Sequence, residues 1–275
     1  MQLIKKFCKG FGKELQLQNF NYEYNRVELF YKSQWQKNEL SFTYLLYRWV
    51  LALFFLGVHI ICMIVQFCDG KFFIYMTNWG FGMCTITQII AAIQVTRWHF
   101  DLQNIRSLVQ ESGAKARMTR SLKLYWLIYN MSLSLALIIS TVYWIFLHGK
   151  MNKPARFPVI SVLTHGLNSV LMIIDFLIIA FPLRLLHVVY CMSTAIFFFV
   201  FTVIYHFSGG TDEFGNHYVY PILDWTKPVG CIITFAGIFM LYIIFWLLLF
   251  GVYKLKRVFN RAFSIVWSPH AVGLL

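Results

Sequence analysis

The sequence predicts an all-α, polytopic membrane protein: a six-transmembrane-helix bundle with both termini cytoplasmic. Three observations carry this. Only 13% of the 275 residues are charged and 59% are hydrophobic, with a mean hydropathy of +0.63; soluble domains carry about 25% charged residues. The apolar runs are continuous rather than alternating, which suits helices and not strands. Several exceed the ~20 residues that cross about 30 Å of hydrocarbon.

The first element is a basic segment, 1–42, with no continuous apolar run of the kind a cleavable signal needs. In it Leu3, Phe7, Phe11 and Leu15 recur every four residues, with Lys5, Lys6, Lys9 and Lys13 between them. That spacing suits a short interfacial helix on the inner membrane surface; a disordered basic tail is the alternative. Cys8 stands in a basic, apolar setting that suits palmitoylation. Spans are then expected at 43–67, 72–96, 122–147, 157–181, 187–207 and 229–253, followed by a basic tail, 254–275. Cys62, Cys84, Cys191 and Cys231 fall inside apolar runs and read as small core hydrophobes. The sequon Asn130-Met131-Ser132 falls within the third span, out of reach of glycosylation.

Counting Lys and Arg sets the orientation. One side holds eighteen, in 1–42, in 97–123, at Arg184 and in the tail; the other holds five, namely Lys71, Lys150, Lys153, Arg156 and Lys227. The richer side is expected to be cytoplasmic. The net charge of +13 is therefore read as contact with anionic lipid, not nucleic acid. Membrane lipids are the expected partners, together with other membrane proteins. The sequence sets no oligomeric state.

The fourth span carries polar residues on one stripe. His165, Asn168, Ser169, Met172, Asp175 and Phe176 follow helical spacing, and such a stripe faces a bundle interior. Asp175 lies about six residues from the inner end of its span, roughly 9 Å. Arg48 lies about five residues into the first span from the same side. Matched depths predict an Arg48–Asp175 ion pair, because either charge alone is costly in hydrocarbon.

Nearer the outer side, Thr77, Asn78, His59, His165 and Asn168 fall at similar depths. They predict an interhelical hydrogen-bond cluster or the wall of a polar cavity, with Ser169 beside it. Gly80 and Gly82 would permit close packing. Thr77 with His165 is the one hydroxyl–base pairing that depth supports. No metal or cofactor is expected, since no two His stand at i, i+4 on one helix. No inverted repeat suggests a transporter.

Four motifs, "FYKSQWQ", "FFIYMTNWGF", "THGLNSVLMIIDF" and "GGTDEFGNHYVYPILDW", resemble the insect rolling stone family over about residues 30–255. That resemblance implies a multi-pass plasma-membrane protein acting in myoblast fusion during muscle development, with other fusion-site proteins as partners. A more distant similarity links the chain to the androgen-induced membrane threonine hydrolases of fatty acid esters. Their Lys-Phe-Leu-Thr, Asn-His-Gly-Met-His-Thr and Val-Tyr-Pro motifs parallel the stretch ending at Thr77, "THGLNS" and "YVYPIL". Thr77 matches their nucleophile and His165 the first His of their second motif. The catalytic His of those enzymes falls on Asn168, and an amide is no general base near neutral pH. The resemblance thus implies a fusion or contact protein, with a membrane-embedded lipid-ester hydrolase using Thr77 and His165 as the alternative.

Overall fold

In the computed structural model, which describes residue 12 and residues 14–101, 118–148 and 158–266, six long apolar helices build the protein. We number them α1 (Phe42–Gln66), α2 (Met76–Phe100), α3 (Arg120–Val142), α4 (Pro158–Ile178), α5 (Val188–Phe207) and α6 (Pro228–Val266). No strand forms among the described residues; one isolated antiparallel bridge joins Ser33 to Ile179. The chain is a multi-pass membrane protein. Residues 34, 178 and 260 meet at one end of the bundle, the terminal face. Residues 71 and 211 meet at the other, the loop face. The predicted surface helix around Leu3 to Phe11, Cys8, most of the basic connection 97–123 and the last residues of the tail lie outside the described residues.

Local chemistry sets the helix ends. Ser41 caps α1 by accepting from the Tyr44 amide at 3.2 Å, and Thr119 caps α3 by accepting from the Leu122 amide at 3.3 Å. After α1 the chain reverses through Asp69 and Gly70, at φ 50° and 81°, a region that glycine adopts readily. This turn delays α2 to Met76, four residues beyond the expected start. Asn78 Nδ2 then donates to Phe72 O and Trp79 Nε1 to Phe73 O, each at 2.7 Å, pinning the turn to the new helix. At the other extreme α6 runs on to Val266, past the expected end at 253. Lys and Arg are good helix formers, so falling hydropathy there marks departure from the membrane and not the end of the helix.

α3 is the hub. Of its membrane-spanning window 61% is buried, against 22% for α6, so α6 gives most of its surface to lipid. Trp126, Tyr125 and Tyr129 of α3 are fully enclosed. Trp126 Nε1 donates to Pro182 O at 2.9 Å. The segment before α1 is no detached tail: from Tyr22 to Gln36 it packs beneath the terminal face. Phe30 stacks on Phe181 at 4.9 Å, Tyr22 on His187 at 4.0 Å, and Arg184 donates to the Asn21 and Glu23 carbonyls at 2.6 and 2.5 Å.

Within this packing, "FYKSQWQ" has a specific task. The last carbonyls of any helix lack intrahelical donors. Those of α4 receive Ser33 Oγ and the Gln34 amide at Ile178 O, with Gln34 Nε2 and Trp35 Nε1 at Leu177 O. Lys256 Nζ of α6 adds bonds to Phe176 O (2.6 Å) and Ile179 O (2.9 Å). Two distant segments thus close one helix end.

α2 and α3 approach closely at Gly80. A Cβ there would stand 2.3 Å from Ile139 Cδ1 and 3.2 Å from Leu135 Cγ. Gly80→Val is expected to lower stability by about 1–3 kcal/mol through overpacking, measured by thermal unfolding in detergent. Adding Ile139→Ala should recover part of that loss. Gly237→Ala, where the added carbon meets nothing within 4 Å, serves as the neutral control. A Gly80→Val protein as stable as the parent would disprove the close approach.

Candidate functional site

Two buried polar regions occupy the bundle interior, and they differ in kind. The first lies toward the terminal face. Arg48 of α1 sits one helical turn after Tyr44, which places the phenol on its own face. Its Nε and Nη2 donate to Tyr44 Oη at 3.0 and 2.6 Å. Its Nη1 donates to Asp175 Oδ1 of α4 at 2.7 Å, with exposures of 1% and 0% for the two side chains. Tyr47 donates to the same Asp175 oxygen at 3.0 Å. Gln88 of α2 bridges the pair: its amide nitrogen donates to Asp175 Oδ2 and its oxygen accepts from Arg48 Nη1, both at 3.3 Å. The structure therefore joins the two charges that depth matched in the sequence. It adds three partners, Tyr44, Tyr47 and Gln88, that were not singled out. Gln88 carried a readable signal, since an amide deep inside an apolar span needs a partner.

The second region lies toward the loop face, around two π-helical turns. One, Tyr143–Leu147, ends α3; the other, Leu163–Leu167, interrupts α4. They face each other. The Tyr143 ring stacks on His165 with centroids 3.6 Å apart and planes within 2°, and Trp144 Nε1 donates to His165 O at 3.4 Å. His165, Asn168, Ser169, Met172, Asp175 and Phe176 are all buried, so the stripe faces inward as its spacing requires. The extra residue of the π turn brings Thr164 inward as well.

These side chains nevertheless do not converge as one cluster. Asn78 is engaged by the turn before α2. Ser169 Oγ lies 2.9 Å from Gly166 O and 3.2 Å from Ser140 Oγ. Asn168 Nδ2 lies 3.4 Å from Thr164 O of its own helix and also faces the Cys84 thiol of α2, while its oxygen has no partner. His59 stacks over Phe81. The Nδ1 atoms of His59 and His165 are buried without a hydrogen bond.

Thr77 stands apart on the wall of a cavity of ≈ 60 Å³, with Leu135, Ile139, Tyr143, Phe198, Tyr220 and Tyr242 among its neighbours. Its wall is apolar, because Asn78 points back to the turn, Asn168 is turned to Thr164 O and Cys84, and Ser169 to Gly166 O and Ser140 Oγ. Neither His59 nor His165 lines it. The nearest polar company of Thr77 is Tyr220, whose phenol is pushed up by desolvation and drawn back by hydrogen bonding to Thr77. Among the described residues no hydrogen bond joins Thr77 to His165, and no three His, Cys, Asp or Glu side chains converge on a metal-sized site.

Removing one member of the ion pair leaves the other buried and unpaired. Arg48→Met or Asp175→Leu alone is expected to cost about 3–5 kcal/mol, read as thermal stability and as yield of folded protein. The double substitution should be markedly more stable than either single one. Additive losses would show that the two charges are not coupled.

The family model described as Rost, Protein rolling stone, matches residues 1–275. Protein rolling stone of Drosophila melanogaster is 73% identical over 275 residues, covering the whole of both chains. No solved structure matches the chain. The full-length matches to the family model and to this relative place the chain in the rolling stone family.

Proposed function

We propose that this protein acts at the plasma membrane in cell–cell fusion or contact during muscle development, with both termini in the cytoplasm. Three lines support the reading. The rolling stone resemblance ties the family to myoblast fusion. The match to its Drosophila relative runs from end to end. The excess of Lys and Arg on the terminal face favours that face as cytoplasmic.

The observation that carries the contact role is the loop between α5 and α6. Asp212 organises it: Oδ1 accepts from the amides of Phe214 and Asn216 at 2.9 and 2.8 Å, and Oδ2 from Asn216 Nδ2 at 2.7 Å. Lys71, from the turn after α1, donates to Thr211 Oγ1 at 3.1 Å and Asp212 O at 2.5 Å. Tyr205 Oη donates to Thr211 O at 2.9 Å. Gly215, at φ 84°, makes the tight return. Held in this way, the loop presents Glu213, Phe214 and His217 outward. An ordered external loop loses less conformational freedom on meeting a partner than a slack one.

Asp212→Ala removes the organising acceptor. It is expected to reduce fusion several-fold in a cell–cell assay while surface delivery, checked by antibody labelling, stays normal. Full fusion with the loop disordered would argue against a contact role.

The alternative, a threonine hydrolase, lacks a base at Thr77, because an amide occupies position 168 and His165 is held against Tyr143 instead. A hydroxyl-directed activity probe is expected to leave the folded protein unlabelled. Labelling that disappears in Thr77→Ala would reverse this choice.

A further inference from the structure

The terminal face holds a second cavity, about 420 Å³, between the segment before α1, the residues just after α4 and the last turns of α6. Its volume is in the range of sites for drug-sized ligands. Four cationic side chains line it, Arg26, Lys32, Lys256 and Arg257, against one carboxylate, Glu28. Glu28 is already engaged by Arg26 Nε at 2.9 Å. Of the α6 side chains, buried Lys256 is engaged by backbone carbonyls at the end of α4, whereas Arg257 bonds the neutral Tyr253 Oη at 2.9 Å, which leaves its charge in place. Gln36 and Asn260 complete the wall, their amides already bonded to carbonyls of the segment before α1.

Depth says what this pocket meets. Lys256 lies 28 residues after Pro228 on one continuous helix, hence roughly 42 Å along it. That exceeds the ~30 Å of hydrocarbon and puts the pocket in the headgroup layer. Trp35, half exposed beside it with its indole bonded to Leu177 O, is the side-chain type that marks this level. A concave, net-cationic site at headgroup depth suits a compact anion with several oxygens.

We propose that this pocket binds a phosphate-monoester headgroup, the chemistry of a phosphorylated inositol lipid. The site is separate from Thr77 and from the ion pair, and its chemistry stands whichever way the bundle faces. The orientation proposed above sets it against the leaflet that carries anionic lipid.

The test uses the full-length protein in nanodiscs. One arm compares nanodiscs containing a phosphorylated inositol lipid with phosphatidylserine nanodiscs of matched total charge, read by native mass spectrometry of retained lipid. A second arm titrates soluble inositol trisphosphate and inorganic phosphate against protein in neutral nanodiscs. The expected result is selective retention of the phosphorylated lipid, lowered roughly tenfold or more in Lys32→Gln/Arg257→Gln. Lys256 is left intact because it closes α4. Glu28→Gln should strengthen binding several-fold, a gain that a misfolded protein would not give. Tighter binding of the lipid than of inositol trisphosphate assigns the membrane as source; equal binding assigns a soluble phosphate ester, and either supports the pocket. Retention that follows total charge alone, or variants that bind like the parent, would overturn the proposal.

Discussion

A carboxylate buried three residues before the end of a helix is in an adverse place twice over. It is desolvated, and it faces the negative end of the helix dipole. Asp175 is in that position on α4, and much of the bundle's arrangement answers it. Arg48 brings α1 to it, and Gln88 brings α2 to both. Tyr44 and Tyr47 occupy hydrogen-bonding positions that would otherwise be left open. Desolvating two ions offsets most of their attraction. The network therefore does more to set the rotation and depth of three helices than to add net stability.

The end of the same helix organises the terminal face. Its carbonyls draw in Ser33, Gln34 and Trp35 from one direction and Lys256 from another. The aromatic packing of Tyr22, Phe30 and Trp126 against His187 and Phe181 then covers the terminal-face end of α3. The cationic pocket is a by-product of this closure, since the strands of chain that cap α4 are those that carry Lys32 and stand opposite Arg257.

Six spans were legible because length and apolarity suffice to mark a helix in lipid. The Arg48–Asp175 contact was legible because two lone charges at one depth have few other solutions. For the loop-face residues the sequence leaves a hydrogen-bond cluster and a polar cavity both open, since depth alone does not say where a side chain points. Asn78 turns back to Phe72 O, and two π turns rotate the polar faces of α3 and α4 in a way that regular helical spacing does not anticipate. The role of "FYKSQWQ" was hidden for another reason. Its partners are backbone carbonyls about 143 residues away, and carbonyls leave no trace in residue identity.

The closure of α4 also bears on the order in which the chain is made. Ser33, Gln34 and Trp35 are synthesised long before Ile178. Lys256 follows Phe176 by 80 residues, after α5 and the membrane-spanning length of α6. The helix that carries the buried carboxylate is thus half-sealed as it leaves the ribosome and fully sealed only when the last helix arrives. Until then the Lys256 contacts at Phe176 O and Ile179 O are still missing. That interval ties completion of the whole bundle to the arrival of Lys256 on α6.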